Sequence, residues 1–225
     1  MCEKFSKNDI LVRILVKENR ISVEFSHVLT DGGGAFEFLK TLLITYTKEC
    51  GGHIPNDFHY IEPNDPIIDE EYEDAYKRFF KEEIPPMVKR SKAFHLPFPL
   101  NKSHRFVQTT AIMSAKDMKQ LANMAGVNIT VYLVALYLYV LQQIFDELNP
   151  SSKFMKYKWL RIQVPVNLRN IFPSKTMRNF SLFVMPEIDL RLGHYTFEEI
   201  IKSVYHQMQL ETEEKLIHKN IARNV

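Results

Sequence analysis

A chain of 225 residues with 45% hydrophobic and 12% aromatic content carries enough apolar side chain for a sizeable core, in one large domain or two small ones. Lys and Arg number 29 against 27 for Asp and Glu, with no basic tract, which excludes the electrostatic footprint of a nucleic-acid binder. Cys2 and Cys50 fit neither a disulfide framework nor a metal-ligand spacing, and MCEKFSKND leads into no uninterrupted apolar segment, so a cytoplasmic, reducing setting is expected.

Residues 10–17, ILVRILVK, and 20–27, RISVEFSH, are β-branched-rich runs around Glu18–Asn19 and predict a hairpin. Phe36, Leu39, Leu43 and Tyr46 recur at helical spacing from about Gly34 to Lys48, where Gly51 and Gly52 close the run. Residues 51–66 are rich in Pro and Gly and read as loop; the acidic stretch 67–83, IIDEEYEDAYKRFFKEE, reads as helix up to Pro85–Pro86. The proline-punctuated residues 85–103 are the expected linker, which divides the chain into 1–103 and 104–225.

Beyond it, FVQTTAIMS (106–114) predicts a strand, and Ser114 with Asp117 predicts the start of a short helix that Gly126 ends. The run from about 129 to 148 is apolar nearly all round and predicts a helix covered on most sides. Its apolar segment 131–141 is too short to span a bilayer, so no transmembrane segment is expected. KYKWLRIQVPVNLR (156–169) and NFSLFVMPEIDL (179–190) read as strands, and Thr196 opens an amphipathic helix to about His218. This alternation predicts an α/β fold with a large sheet and helices packed on it.

The stretch FSHVLTDGGGAFEFLK (25–40) holds the densest chemistry. Strand alternation places Ile21, Val23, Phe25 and His27 on one face, so the imidazole extends an apolar row and is expected to be partly desolvated, hence neutral and able to accept a proton. A core histidine bonded to a backbone carbonyl satisfies the same pattern. Asp31 is placed to cap the following helix. Gly32, Gly33 and Gly34 permit close backbone approach but lack the spacing and the following Lys-Ser/Thr of a phosphate loop. His53, His59, His95 and His104 lie in polar or proline-rich loops without i, i+4 pairing, so no metal site is expected, and Trp159 reads as core.

H-x-x-x-D-G at His27, Asp31 and Gly32, between a strand and a helix, resembles the active-site motif of the chloramphenicol acetyltransferase-like superfamily of coenzyme A-dependent acyltransferases. VNITVYLVALYLYVL, VPVNLR (164–169) and RNFSLFVMPEIDL (178–190) follow in the order of that superfamily's later half, and PVNLR resembles a phrase of its alcohol acetyltransferase and wax ester synthase branch. The resemblance runs from about 20 to 210. Ser26 stands where condensation domains carry a second histidine, and the DFGWG string of plant-type members is absent. The chain resembles the central piece of a longer enzyme, with 1–103 the remainder of an N-terminal subdomain and 104–225 part of a C-terminal one.

The resemblance implies a sandwich fold with a large, mostly antiparallel or mixed sheet, and transfer of an acyl group from a coenzyme A thioester to a hydroxyl or amine, with His27 as general base and acyl-CoA as co-substrate rather than a bound cofactor. It implies that Asp31 holds the loop through a salt bridge, with Arg169 the first candidate partner and Arg178 the second. It places Ser181 and Asn179 near the oxyanion, and Asn167 at the cleft or as a strand-end cap. The expected partners are acyl-CoA and a small-molecule acceptor. A carrier-protein-dependent condensation module and a non-catalytic interaction module are the alternatives.

Overall fold

A computed structural model of the chain describes residues 5–99, 109–148 and 157–225. The described residues form a mixed α/β structure of six α-helices and three two-stranded sheets. They fall into two compact units. Met1–Ile84, Val166–Leu182 and Ile221–Val225 make the first; Pro85–Pro165 and Phe183–Asn220 make the second. The boundary expected near 103 lies outside the described residues.

In the first unit, β1 (Val12–Lys17) and β2 (Arg20–Phe25) form an antiparallel hairpin in which Val12 faces Phe25 and Lys17 faces Arg20. Glu18 turns it with φ 53°, a left-handed conformation that glycine or asparagine adopts at less cost. The helix α1 (Gly32–Glu49) follows. The acidic stretch 67–83 is not one helix. It contains a single 3₁₀ turn at Asp69–Glu71 and the short α2 (Ala75–Phe79). Five carboxylates within six residues repel one another along such a helix. Two carbonyls that its ladder would use are also engaged elsewhere: Glu71 O accepts from Met177 N at 2.8 Å and Glu73 O from Thr176 Oγ1 at 2.7 Å.

In the second unit, α3 (Ala115–Met124) begins at Ser114, whose hydroxyl accepts from Asp117 N, and α4 (Ile129–Glu147) begins at Asn128, whose side chain accepts from Val131 N. No strand forms over 109–114, the described part of the stretch expected to be one. The α4 helix packs Val131, Ala135, Leu138 and Phe145 into a core with Leu160, Ile188, Ile200, Ile201 and Val204, each large side chain contributing about 1.5–3 kcal/mol by leaving water. Leu133, Leu136, Tyr137 and Val140 on α4 remain exposed. The helix is therefore apolar all round but covered along one stripe among the described residues, because its principal packing partners, α5 and α3, cover only part of its circumference. At 19 residues α4 is long and apolar enough to cross a membrane by length and composition alone, a criterion that core helices of soluble proteins also meet.

The two predicted long strands are each divided. β3 (Trp159–Arg161) and β4 (Val164–Asn167) replace the first; β5 (Ser181–Val184) and β6 (Glu187–Asp189) replace the second. Pro186 has no N–H to continue a ladder, and the chain changes partner there: β5 pairs with β4, and β6 runs antiparallel to β3. The expected large sheet is thus three separate pairs among the described residues. α5 (Phe197–Glu211) starts with a capping box of Thr196 and Glu199. The helix expected to reach His218 breaks at Thr212, whose hydroxyl bonds back to Met208 O at 2.8 Å, and α6 (Glu214–Asn224) follows.

Residues 85–99, expected as linker, belong to the second unit as an ordered strap. Met87 N donates to Lys219 O, Phe94 N to Trp159 O, and Arg90 to both Met185 O and Glu211 Oε1. Proline prevents a helix here without preventing attachment, since the backbone donors of Met87 and Phe94 find partners in neighbouring elements.

Candidate active site

The histidine motif lies in the first unit. β2 ends at Phe25: Ser26 N makes one last bond in register with β1, to Leu11 O at 2.9 Å, and Leu29 N then closes a turn on Ser26 O at 2.9 Å that takes the chain off the ladder. His27 sits in that turn and is exposed. This corrects the strand-parity expectation that His27 extends the apolar row of Ile21, Val23 and Phe25 and is partly desolvated: the pleat stops two residues before it.

Four residues on, Asp31 is buried at 3% exposure. It caps α1, with Oδ1 accepting from Gly33 N at 2.9 Å and Gly34 N at 3.2 Å. Oδ2 accepts from Phe180 N at 2.6 Å, and both oxygens accept from Arg169 Nη1, the shorter contact being 2.9 Å. Burial pushes the Asp31 carboxyl upward, but hydrogen bonds from Arg169, Phe180 N and Gly34 N, together with the Arg169 charge, outweigh it and hold the group below its ordinary value.

Arg169 spends the rest of its fork on backbone. Nε donates to Thr176 O at 2.9 Å and Nη2 to Arg178 O at 2.6 Å. Asn167 Oδ1 accepts from Arg169 N and from Nη1, both at 3.1 Å, so Asn167 caps the short turn that presents the guanidinium. Arg169 is thus the arginine that meets Asp31, while Arg178 is exposed and contributes its carbonyl. The arrangement fixes two segments at once: the turn that carries His27, and residues 176–180.

The surroundings reinforce both. Thr30 Oγ1 donates to Met177 O at 2.6 Å. Tyr76, which sequence reasoning missed, donates its hydroxyl to Ser181 O and accepts from Ser181 N at 3.1 Å. Burial raises the Tyr76 phenol, with the nearby Asp31 charge adding to the shift, so it stays a donor at neutral pH. Phe79 stacks on Phe180 at 5.7 Å between ring centroids and packs on Phe172 at 4.9 Å.

The glycines differ in what they do. Gly32 has open space around a hypothetical Cβ, whereas at Gly34 that atom lies 2.2 Å from Thr30 Oγ1 and 2.3 Å from Met177 O. Gly34, unlike Gly32, is a glycine that close approach to backbone demands. Gly34→Ala is expected to destabilise the protein by about 1–3 kcal/mol and Gly32→Ala to leave stability within about 1 kcal/mol of wild type, as read from urea midpoints; equal midpoints for the two variants would contradict this packing.

Asn179 meets His27 directly. Its Nδ2 donates to His27 O at 2.6 Å, and its Oδ1 lies 3.2 Å from His27 Nδ1. The carbonyl of His27 thus takes one of the two N–H donors of the amide. Ser181 makes its described contacts through its backbone. An apolar cleft of about 250 Å³ lies in the same unit, lined by Phe25, Leu29, Thr30, Phe38, Met177 and Arg178 among others. Among the described residues no group of three His, Cys, Asp or Glu side chains is placed to hold a metal ion; His104 lies outside them.

No family model matches the chain, and no curated protein matches it.

Proposed function

We propose that the chain is part of an acyltransferase with a chloramphenicol acetyltransferase-like sandwich fold, moving an acyl group from a coenzyme A thioester to a hydroxyl acceptor. One observation carries this reading: the turn presenting His27 is tied, through the buried Asp31 carboxylate, to Arg169 and to the backbone of Phe180. An exposed histidine on an otherwise solvated turn does not need such a mount, whereas a general base does, because proton transfer depends on holding the imidazole within hydrogen-bond reach of the acceptor.

In the proposed step, the hydroxyl oxygen attacks the thioester carbonyl carbon while His27 takes the hydroxyl proton. The carbon–sulfur bond then breaks, and the imidazolium returns the proton to the departing thiolate. The products are an ester and free coenzyme A thiol. Asp31 touches none of these atoms and acts by holding the turn. The cleft beginning two residues beyond His27, with Leu29, Phe25, Phe38 and Met177 in its walls, suits an apolar chain on the acyl donor or the acceptor.

The test is thiol release from a panel of acyl-CoA thioesters with and without short alcohols, comparing wild type with His27→Ala. Release dependent on both substrates and on His27 supports the reading. Equal rates for the two proteins overturn it.

A further inference from the structure

The two contacts between Asn179 and His27 determine more than proximity. Asn179 Nδ2 is 2.6 Å from the carbonyl oxygen of His27. A carbonyl oxygen only accepts hydrogen bonds, so the nitrogen end of the amide must be the end that faces it, and the amide oxygen is left facing the ring at 3.2 Å from Nδ1. That oxygen offers lone pairs alone. The hydrogen between them must come from Nδ1, and a neutral imidazole protonated at Nδ1 carries its free lone pair on Nε2.

We infer that Asn179 is a positioning residue that holds His27 in the Nδ1–H tautomer and leaves Nε2 as the proton acceptor. The tautomer follows from the contacts themselves; its catalytic consequence rests on the reading of His27 as the base. The clamp is anchored on both sides of Asn179. The carbonyl of Arg178 accepts from Arg169 Nη2 at 2.6 Å, and the N–H of Phe180 donates to Asp31 Oδ2 at 2.6 Å. Phe180 is fully buried. The Asp31–Arg169 pair therefore acts on His27 from two directions, through the turn that carries the ring and through the residue that orients it.

Long-range ¹H–¹⁵N correlation spectra of ring-labelled protein, recorded where the imidazole is neutral, read the tautomer directly. The His27 signals are assigned among the 8 histidines by their loss in His27→Gln. Wild type is expected to show a protonated Nδ1 and an unprotonated Nε2, and Asn179→Leu to shift the population toward Nε2–H. The same variant is expected to lower kcat for thiol release about tenfold, the scale of one orienting hydrogen bond, with KM little changed. A wild-type ring carrying its proton on Nε2 overturns the inference, whether or not Asn179→Leu folds; so does a folded Asn179→Leu with an unchanged tautomer. The spectra involve no substrate, so a failed acyl-transfer assay and a failed tautomer assignment are separate results.

Discussion

Asp31→Ala is expected to lower stability by about 3–5 kcal/mol, the cost of leaving one member of a buried ion pair without its partner, and the apparent melting midpoint by on the order of 10 °C. The side chains of Asp31 and Arg169 are 2% and 15% exposed, so water does little to replace the lost charge. The substitution also removes the helix cap at Gly33 and Gly34 and the acceptor for Phe180 N. Because the folded carboxyl titrates below its ordinary value of 3.8, its contribution is present above that value and disappears as pH falls through the lower folded value. Urea unfolding of wild type and Asp31→Asn should therefore give well-separated midpoints at neutral pH and converging midpoints in strong acid. A gap independent of pH would mean that the carboxylate charge is not what stabilises the turn.

His27→Ala is expected to act in the opposite domain of measurement. The general-base contribution is typically about 10²- to 10⁴-fold, so kcat for thiol release should fall by that factor. The ring is exposed and the carbonyl that Asn179 grips belongs to the backbone, which alanine keeps. Stability should consequently remain within about 0.5 kcal/mol of wild type, as for other exposed substitutions. Activity lost with the urea midpoint preserved separates chemistry from scaffolding; Asp31→Ala should lose both.

Where the sequence was readable, local chemistry was the reason. Asp31, Ser114 and Thr196 all cap helices, since a short polar side chain next to a periodic apolar run leaves few other roles. The end of β2 was not readable. Val-x-Phe-x-His continues the alternation, and the strand stops at Phe25 because of a turn closed by Leu29 N on Ser26 O that no side-chain pattern encodes. The same limit applies to the acidic stretch, where Thr176 and Met177 engage the carbonyls of Glu73 and Glu71 from a hundred residues away. Arg169 was reachable as the partner of Asp31 only through the family-like PVNLR phrase, as periodicity cannot join positions 138 residues apart. The contact of Asn179 with His27 was not readable, because its two partners there are a backbone atom and a ring nitrogen in a turn that the alternation extends as strand.

The discontinuity of the first unit sets a timetable for its assembly. The hairpin, the His27 turn and α1 leave the ribosome ahead of their partner, since Arg169 follows Asp31 by 138 residues, which at ordinary elongation rates is a wait of roughly 7 to 28 s. Through that interval the carboxylate has its cap contacts available but no guanidinium, and the histidine has no asparagine. The intervening residues Pro85–Pro165 belong to the other unit and emerge in the meantime. A nascent chain halted before residue 169 would thus carry the candidate base with neither of the side chains that mount it.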